Sequence, residues 1–109
     1  MSKDYKKTKA YRVLKQSLLD QLEENGNTKD FFIDLVEDYM AFWITKTLLI
    51  EDINKRGVSV KYNNGGGQSG YKKNDSIAEL NKTNAQMLKL LNELGIKATV
   101  ADSGDDDDL

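Results

Sequence analysis

Between Gly26 and Gly57 the chain runs for thirty residues without a glycine, and it has no proline anywhere. Nothing in that stretch breaks a helix. Its larger apolar residues recur at three and four: Phe31, Leu35, Tyr39, Phe42, Leu49 and Ile53 form one stripe, flanked by Phe32, Val36, Trp43 and Ile50. This spacing predicts one long helix of ~40 Å at 1.5 Å rise per residue. Thr28 is the expected N-cap, and Asp30 places a negative charge in the first turn, where the helix dipole favours it. A single partner helix of about twenty residues cannot cover so long and wide an apolar face. A third helix covers part of it, and a neighbouring subunit is the natural cover for the rest.

The flanking segments supply those partners. From Tyr5 to Glu24, Tyr11, Leu14, Leu18 and Leu22 define a helix with one buried stripe, stopped by Glu23, Glu24, Asn25 and Gly26. VSVKY at 58–62 alternates Val58, Val60 and Tyr62 inward with Ser59 and Lys61 outward, the pattern of a half-buried strand. Tyr71–Lys73 returns as a second strand, giving a hairpin at about 58–73 whose glycine-rich tip is 63–70. Asp75 or Ser76 caps a third helix carrying Ile77, Leu80, Met87, Leu88, Leu91 and Leu94, with Asn84 on or near the stripe and Gly95 as its stop. The expected fold is mainly α: a helical hairpin with a long central helix, a small β-hairpin and a C-terminal helix, assembling as an oligomeric ring. Residues 1–98 form one domain, and the acidic segment 99–109 has no means of packing and is expected to be disordered.

At 109 residues the chain accommodates one domain of ordinary size. No apolar run approaches the ~20 residues of a membrane span, and the basic start MSKDYKKTKAYR lacks the apolar centre of a secretory signal, so no membrane and a cytosolic location are expected. Cysteine and histidine are both absent, which removes disulfides, thiolate nucleophiles, Cys/His zinc sites and histidine bases. No calcium-loop pattern is present, although a carboxylate-only metal site is not excluded by composition. The expectation is a non-enzymatic chain with no cofactor and no metal. GGGQSG at 65–70 matches G-x-G-x-x-G in spacing, but a dinucleotide fingerprint opens directly into a helix and is followed by an acid about twenty residues on, at the end of a second strand. Here Tyr71–Asn74 intervene, and the acid at that distance, Glu93, ends a helix. As a phosphate loop it fails too, because Tyr71 stands where lysine is required.

Charge is distributed unevenly. Residues 1–19 hold Lys3, Lys6, Lys7, Lys9, Arg12 and Lys15 against Asp4 alone, whereas Asp102 and Asp105–Asp108 crowd the other end. Such polarity suits a polyanion or a partner protein. Lys6, Lys7, Lys9, Arg12 and Lys15 are the leading polyanion-binding candidates, with Lys61, Lys72 and Lys73 as a second group beside the hairpin tip. Solvated basic surface is the alternative for both groups. Tyr39, Phe42, Trp43, Leu48, Leu49 and Ile53 serve either as core or as subunit interface, and Tyr39, Phe42, Trp43, Leu49 and Ile53 are the interface set carried forward. The acidic run is a solubilising tail, a contact for a partner, or a competitor for the basic helix.

The order of elements, ending in NDSIAELNKTNAQMLKLLNELGIKAT, resembles the small subunit of tailed-phage terminases in its short-chain branch. The resemblance covers about residues 8–99 and is most specific over 74–96. There the family usually shows Asn-Pro, a leucine-repeat helix and Leu-Gly-Leu/Ile. This chain has Asn74 followed by Asp75 where proline is common, then Leu94-Gly95-Ile96, and it departs from the family's usual continuation at Lys97-Ala98-Thr99. The resemblance implies a ring-forming component of the DNA-packaging motor that carries no ATPase or nuclease of its own. Its implied partners are double-stranded viral DNA, bound at the packaging site, and the large terminase subunit, which it regulates in the cytoplasm of the infected bacterium. The competing reading is a protein-protein interaction or regulatory module without DNA binding.

Overall fold

The computed structural model describes residues 4–97, so the predicted disordered tail, together with Lys3, Ala98 and Thr99, lies outside the described residues. A short 3-10 turn, Tyr5–Lys7, precedes helices α1 (Lys9–Glu24) and α2 (Asp30–Arg56). An antiparallel hairpin of β1 (Ser59–Gly65) and β2 (Gln68–Lys73) then leads into helix α3 (Asp75–Leu94). The fold is the mainly helical one read from the sequence, with α2 as its long central member.

Four local boundaries differ from the sequence reading: the hairpin strands reach Gly65 and resume at Gln68, so the tip is Gly66–Gly67 in place of 63–70, and three helix starts shift. The first helix does not run unbroken from Tyr5, because Thr8 leaves helical geometry and its Oγ1 accepts the backbone N–H of Tyr11 at 3.2 Å, capping α1 there. The long helix starts with Lys29 as its N-cap and no side-chain cap bond, in place of Thr28. The cap of α3 is Asn74, whose Oδ1 accepts Ser76 N–H at 2.9 Å, so neither Asp75 nor Ser76 holds that position.

α1 and α3 both run antiparallel to α2. Tyr11 meets Trp43 edge-to-face at 5.9 Å, Lys15 pairs with Glu37, and the Tyr5 hydroxyl donates to the Glu51 carboxylate at 2.6 Å. The rising α2 numbers against falling α1 numbers set that direction. On the other flank the root of α3 meets Asp52, while its far end meets the α1–α2 loop, where Asn27 Nδ2 donates to Leu94 C=O at 3.4 Å. Gly95 lets α3 end in a left-handed turn at φ 73°, with Ile96 N–H bonding back to Leu91 C=O at 2.9 Å.

The fully packed core lies toward the α1–α2 loop. Tyr11, Leu18 and Leu22 of α1, Val36 and Met40 of α2 and Leu94 of α3 are buried together, with Trp43, Tyr39, Phe32 and Leu91 packed around them. The molecule is extended, 61 × 37 × 24 Å, with a radius of gyration of 18.3 Å. A compact chain of this length measures about 13 Å.

In the hairpin, the alternation read from the sequence holds at Val60 and Tyr62, which are half-buried, and at Ser59 and Lys61, which are exposed, but fails at Val58. Val58, expected inward, is 63% exposed, and neither strand packs broadly on a helix. The hairpin's burial is local: the Tyr62 ring lies over Gly70, where an added Cβ would meet the Tyr62 Oη at 3.1 Å.

The hairpin root is held by a polar knot around Asn74, which is wholly buried. Its Nδ2 donates to Gly57 C=O at 3.0 Å and to Asp52 Oδ2 at 3.2 Å, and its Oδ1 also accepts from Arg56 Nη2 at 3.1 Å. Its backbone N–H bonds Val58 C=O at 2.8 Å. Asp52 takes two bonds from Arg56, at 2.7 and 2.8 Å, and one from Ser76 Oγ at 2.7 Å. Every polar atom of the Asn74 side chain therefore has a partner. Arg56 foremost, then Ser76 and Asn74, hold the Asp52 carboxyl well below the usual carboxylate range.

Asn74→Ala removes a helix cap and strands Gly57 C=O, so urea unfolding at fixed protein concentration is expected to show a loss of about 2–3 kcal/mol. A change within ~0.5 kcal/mol contradicts the knot's role. Because folding depresses the Asp52 pKa, its contribution is present above the unfolded carboxylate value of about 3.9 and fades as pH falls below it. The stability gap between the unmodified chain and Asp52→Asn should therefore narrow on going below about pH 4.

Candidate nucleic-acid interface

The basic residues of the N-terminal segment divide into two sets. Lys6, Arg12 and Lys15 line one open groove of about 560 Å³ between α1 and α2, together with Tyr11, Gln16, Leu19 and Glu37. Lys7 and Lys9 are exposed on the same segment and do not line the groove. The kink at Thr8 produces this grouping. By turning the 3-10 segment back toward α2, it brings Lys6 beside residues that follow it by six and nine positions, and Tyr5 anchors that turn on Glu51.

The cations of the segment are restrained differently. Arg12 Nη1 donates to Lys7 C=O at 2.7 Å, which fixes the guanidinium against the kink and leaves it exposed. Lys7 lies 3.9 Å from Asp4, an exposed pair of little energetic weight. Lys15 is bound to Glu37, and that hydrogen bond, above all, raises its pKa. Glu37 is the residue that reading α1 by itself misses. It reaches the groove from α2, and pairing of residues 22 apart leaves no mark in local sequence. The Tyr5 phenol, donating to Glu51, is likewise held protonated to higher pH than usual.

The second basic group lies on the hairpin. The register sets Lys61 opposite Tyr71, Ser59 opposite Lys73 and Val60 opposite Lys72. Since faces alternate along a strand, Lys61 and Lys73 share a face with Tyr71, and Lys72 points to the other, beside Tyr62. Lys72 approaches Asp75 at 3.8 Å. The sequence reading put Lys72 and Lys73 together; the pleat separates them.

The interface residues read from the sequence lie along α2. Tyr39 and Trp43 pack on the core, and Phe42, Leu49 and Ile53 are half-buried within this single chain. Burial raises the pKa of Tyr39. The larger exposed apolar side chains are Phe31, Ile33, Leu48 and Ile50 on α2 and Leu88 on α3, the last of which the sequence reading had placed in the buried stripe. Thr83 takes the buried place one turn before Met87, its hydroxyl satisfied by Glu79 C=O at 2.8 Å. Among the described residues, no group of carboxylates is arranged to hold a metal ion, and no helix is long and apolar enough to cross a membrane.

Residues 16–99 match the family model for the phage terminase, small subunit. The chain belongs to that family. No curated protein and no solved structure matches it. The match spans most of α1, all of α2, the hairpin and α3, and it gives this small subunit a role in phage DNA packaging. It begins at Gln16, so the cations Lys6, Lys7, Lys9, Arg12 and Lys15 all precede the matched region of the terminase subunit.

Glu37→Gln frees Lys15 and removes the groove's acid. Anisotropy titration with a 40-bp duplex at about 50 mM salt should show binding tightened roughly two- to fivefold and the salt dependence steepened by up to about one unit. Weaker binding of that variant rules out the groove as a phosphate site.

Proposed function

We propose that this small subunit binds double-stranded viral DNA through its N-terminal cationic groove and, as a homo-oligomeric ring, presents that DNA to the large terminase subunit and regulates it. The observation that carries the reading is the convergence of Lys6, Arg12 and Lys15 on one open groove, with Lys7 and Lys9 exposed on its rim segment. Lysines and arginines so placed gain affinity by displacing counterions from phosphates. They position the duplex and carry little sequence information of their own. Lys72 and Lys73 on the hairpin add a second cationic region.

Assembly is supported by the extended shape and by the apolar side chains that this single chain leaves uncovered along α2. In the proposed ring, Phe42, Leu49 and Ile53 complete their burial against a neighbour, with Tyr39 and Trp43 behind them joining core to interface. The subunit has no catalytic step of its own: cutting and translocation belong to the large subunit. The place of action is the host cytoplasm.

Two measurements test this reading. Changing Lys6, Lys7, Lys9 and Arg12 together to Glu should lower duplex affinity at least ~100-fold at about 50 mM salt, with the helical circular dichroism retained. Undiminished binding by that variant refutes the groove assignment and favours a protein-only module. Light scattering at micromolar concentration should give a mass several times the 12.3 kDa of the chain, and a clean monomer eliminates the ring.

A further inference from the structure

We propose that the β-hairpin is a DNA-reading arm, whose face bearing Lys61, Asn63, Ser69, Tyr71 and Lys73 enters the major groove of duplex DNA. The inference rests on the DNA-binding reading above and assigns a second, chemically different contact to it.

Charge supports it first. From Gly57 to Asn74 the sequence holds Lys61, Lys72 and Lys73 and no acidic residue, in a chain whose net charge is -2. The face bearing Lys61, Asn63, Ser69, Tyr71 and Lys73 is exposed throughout, while Val60, Tyr62 and Gly70 on the other face are half-buried, and Tyr71 is 73% exposed between the two lysines of its face. An isolated two-stranded hairpin is marginal by itself. This one adds little to the core, so its side chains are available to a ligand.

Shape and anchoring come next. A two-stranded ribbon fits the ~12 Å width of the major groove. Seven residues of β1, at about 3.3 Å each, carry the tip ~20 Å from its root. The root is fixed by the buried Asn74 and its bonds to Val58, Gly57, Asp52 and Arg56. A held root and an uncovered tip make an arm with a defined direction. Orientation toward the same ligand follows from α2: the N-terminal basic segment is anchored at Glu51 and the hairpin root at Asp52, so both cationic elements converge on the C-terminal end of one helix.

The chemistry of the face is suited to base edges. Asn63 and Ser69 are paired across the ribbon, next to the Gly65–Gln68 pair that closes the tip, and amide and hydroxyl groups are the donors and acceptors that read bases in the major groove. Asn63 Oδ1 accepts Gly65 N–H at 2.8 Å, which steadies the side chain at the bulge between Asn63 and Gly65. Lys61 and Lys73, farther toward the root, reach phosphates along the groove walls. Lys72 faces the opposite way, toward Asp75, and contributes less.

The test measures the salt dependence of a mixed-sequence 40-bp duplex by fluorescence anisotropy and the dimethyl sulfate reactivity of guanine N7, which lies in the major groove. The unmodified chain, Lys61→Gln with Lys73→Gln, Lys72→Gln alone, and Tyr71→Ala are compared, with circular dichroism confirming that the helices persist. The double lysine variant should lower the magnitude of the salt slope by about two and abolish N7 protection, while Lys72→Gln lowers it by less than about one. Tyr71→Ala should reduce N7 protection with the salt slope unchanged. If the unmodified chain binds and these variants match it in slope and N7 protection, the arm is overturned and the groove reading stands. A loss for Lys72→Gln as large as that of the double lysine variant overturns the proposed orientation. Absence of duplex binding by the unmodified chain at about 50 mM salt overturns both readings.

Discussion

The geometry of this subunit depends on one buried amide. Asn74 lies where the long helix, the hairpin and the last helix meet, and it bonds to all three. Without it the hairpin would have no fixed root and α3 no capped start. Asp52 and Arg56, one turn apart on α2, complete the knot, and their pairing also places a cation at the C-terminal end of that helix, where the dipole favours it. A charged pair at the surface is ordinarily worth little. This pair matters because one of its members also binds an amide wholly removed from water, which cannot lose a partner cheaply.

From that junction the molecule extends in two directions. Toward the α1–α2 loop, leucines, Val36 and Met40 make a thin core closed by Leu94. Toward the other end, the hairpin and the N-terminal turn stand with their cations uncovered. Packing energy is thus concentrated at one pole and charge at the other. An extended helical chain with apolar residues left along its central helix is well suited to side-by-side assembly, in which neighbours supply the cover that the single chain lacks.

Much of the fold was legible in the sequence because its signals are local and strong. Absence of glycine and proline from 27 to 56, together with Gly26, Gly57 and Gly95, marks the helices and their ends. The family was legible from the last helix, with Asn74 and Leu94-Gly95-Ile96 at its borders. What escaped was tertiary. The break at Thr8 depends on a hydroxyl choosing to cap, where the lysine-rich residues around it are equally compatible with continued helix. Val58, Val60 and Tyr62 alternate as a half-buried strand does, and Val60 and Tyr62 are half-buried, but Val58 faces solvent before the strand begins. Glu37 in the basic groove and Asp52 beneath Asn74 are partners across elements, and spacing along the chain does not announce them. Leu88 has helical apolar spacing and faces solvent, since the neighbouring groove of Tyr39, Lys46, Met87 and Leu91 is left open.

The central claim is that one rigid scaffold presents two cationic elements, the N-terminal groove and the hairpin, to the same duplex. Amide hydrogen exchange on the 109-residue chain, with and without a 40-bp duplex at low salt, tests it most directly. The account predicts new protection over residues 5–15 and 59–73 together, with α3 beyond its first turn unchanged. Protection confined to α3, or to one of the two elements alone, contradicts it.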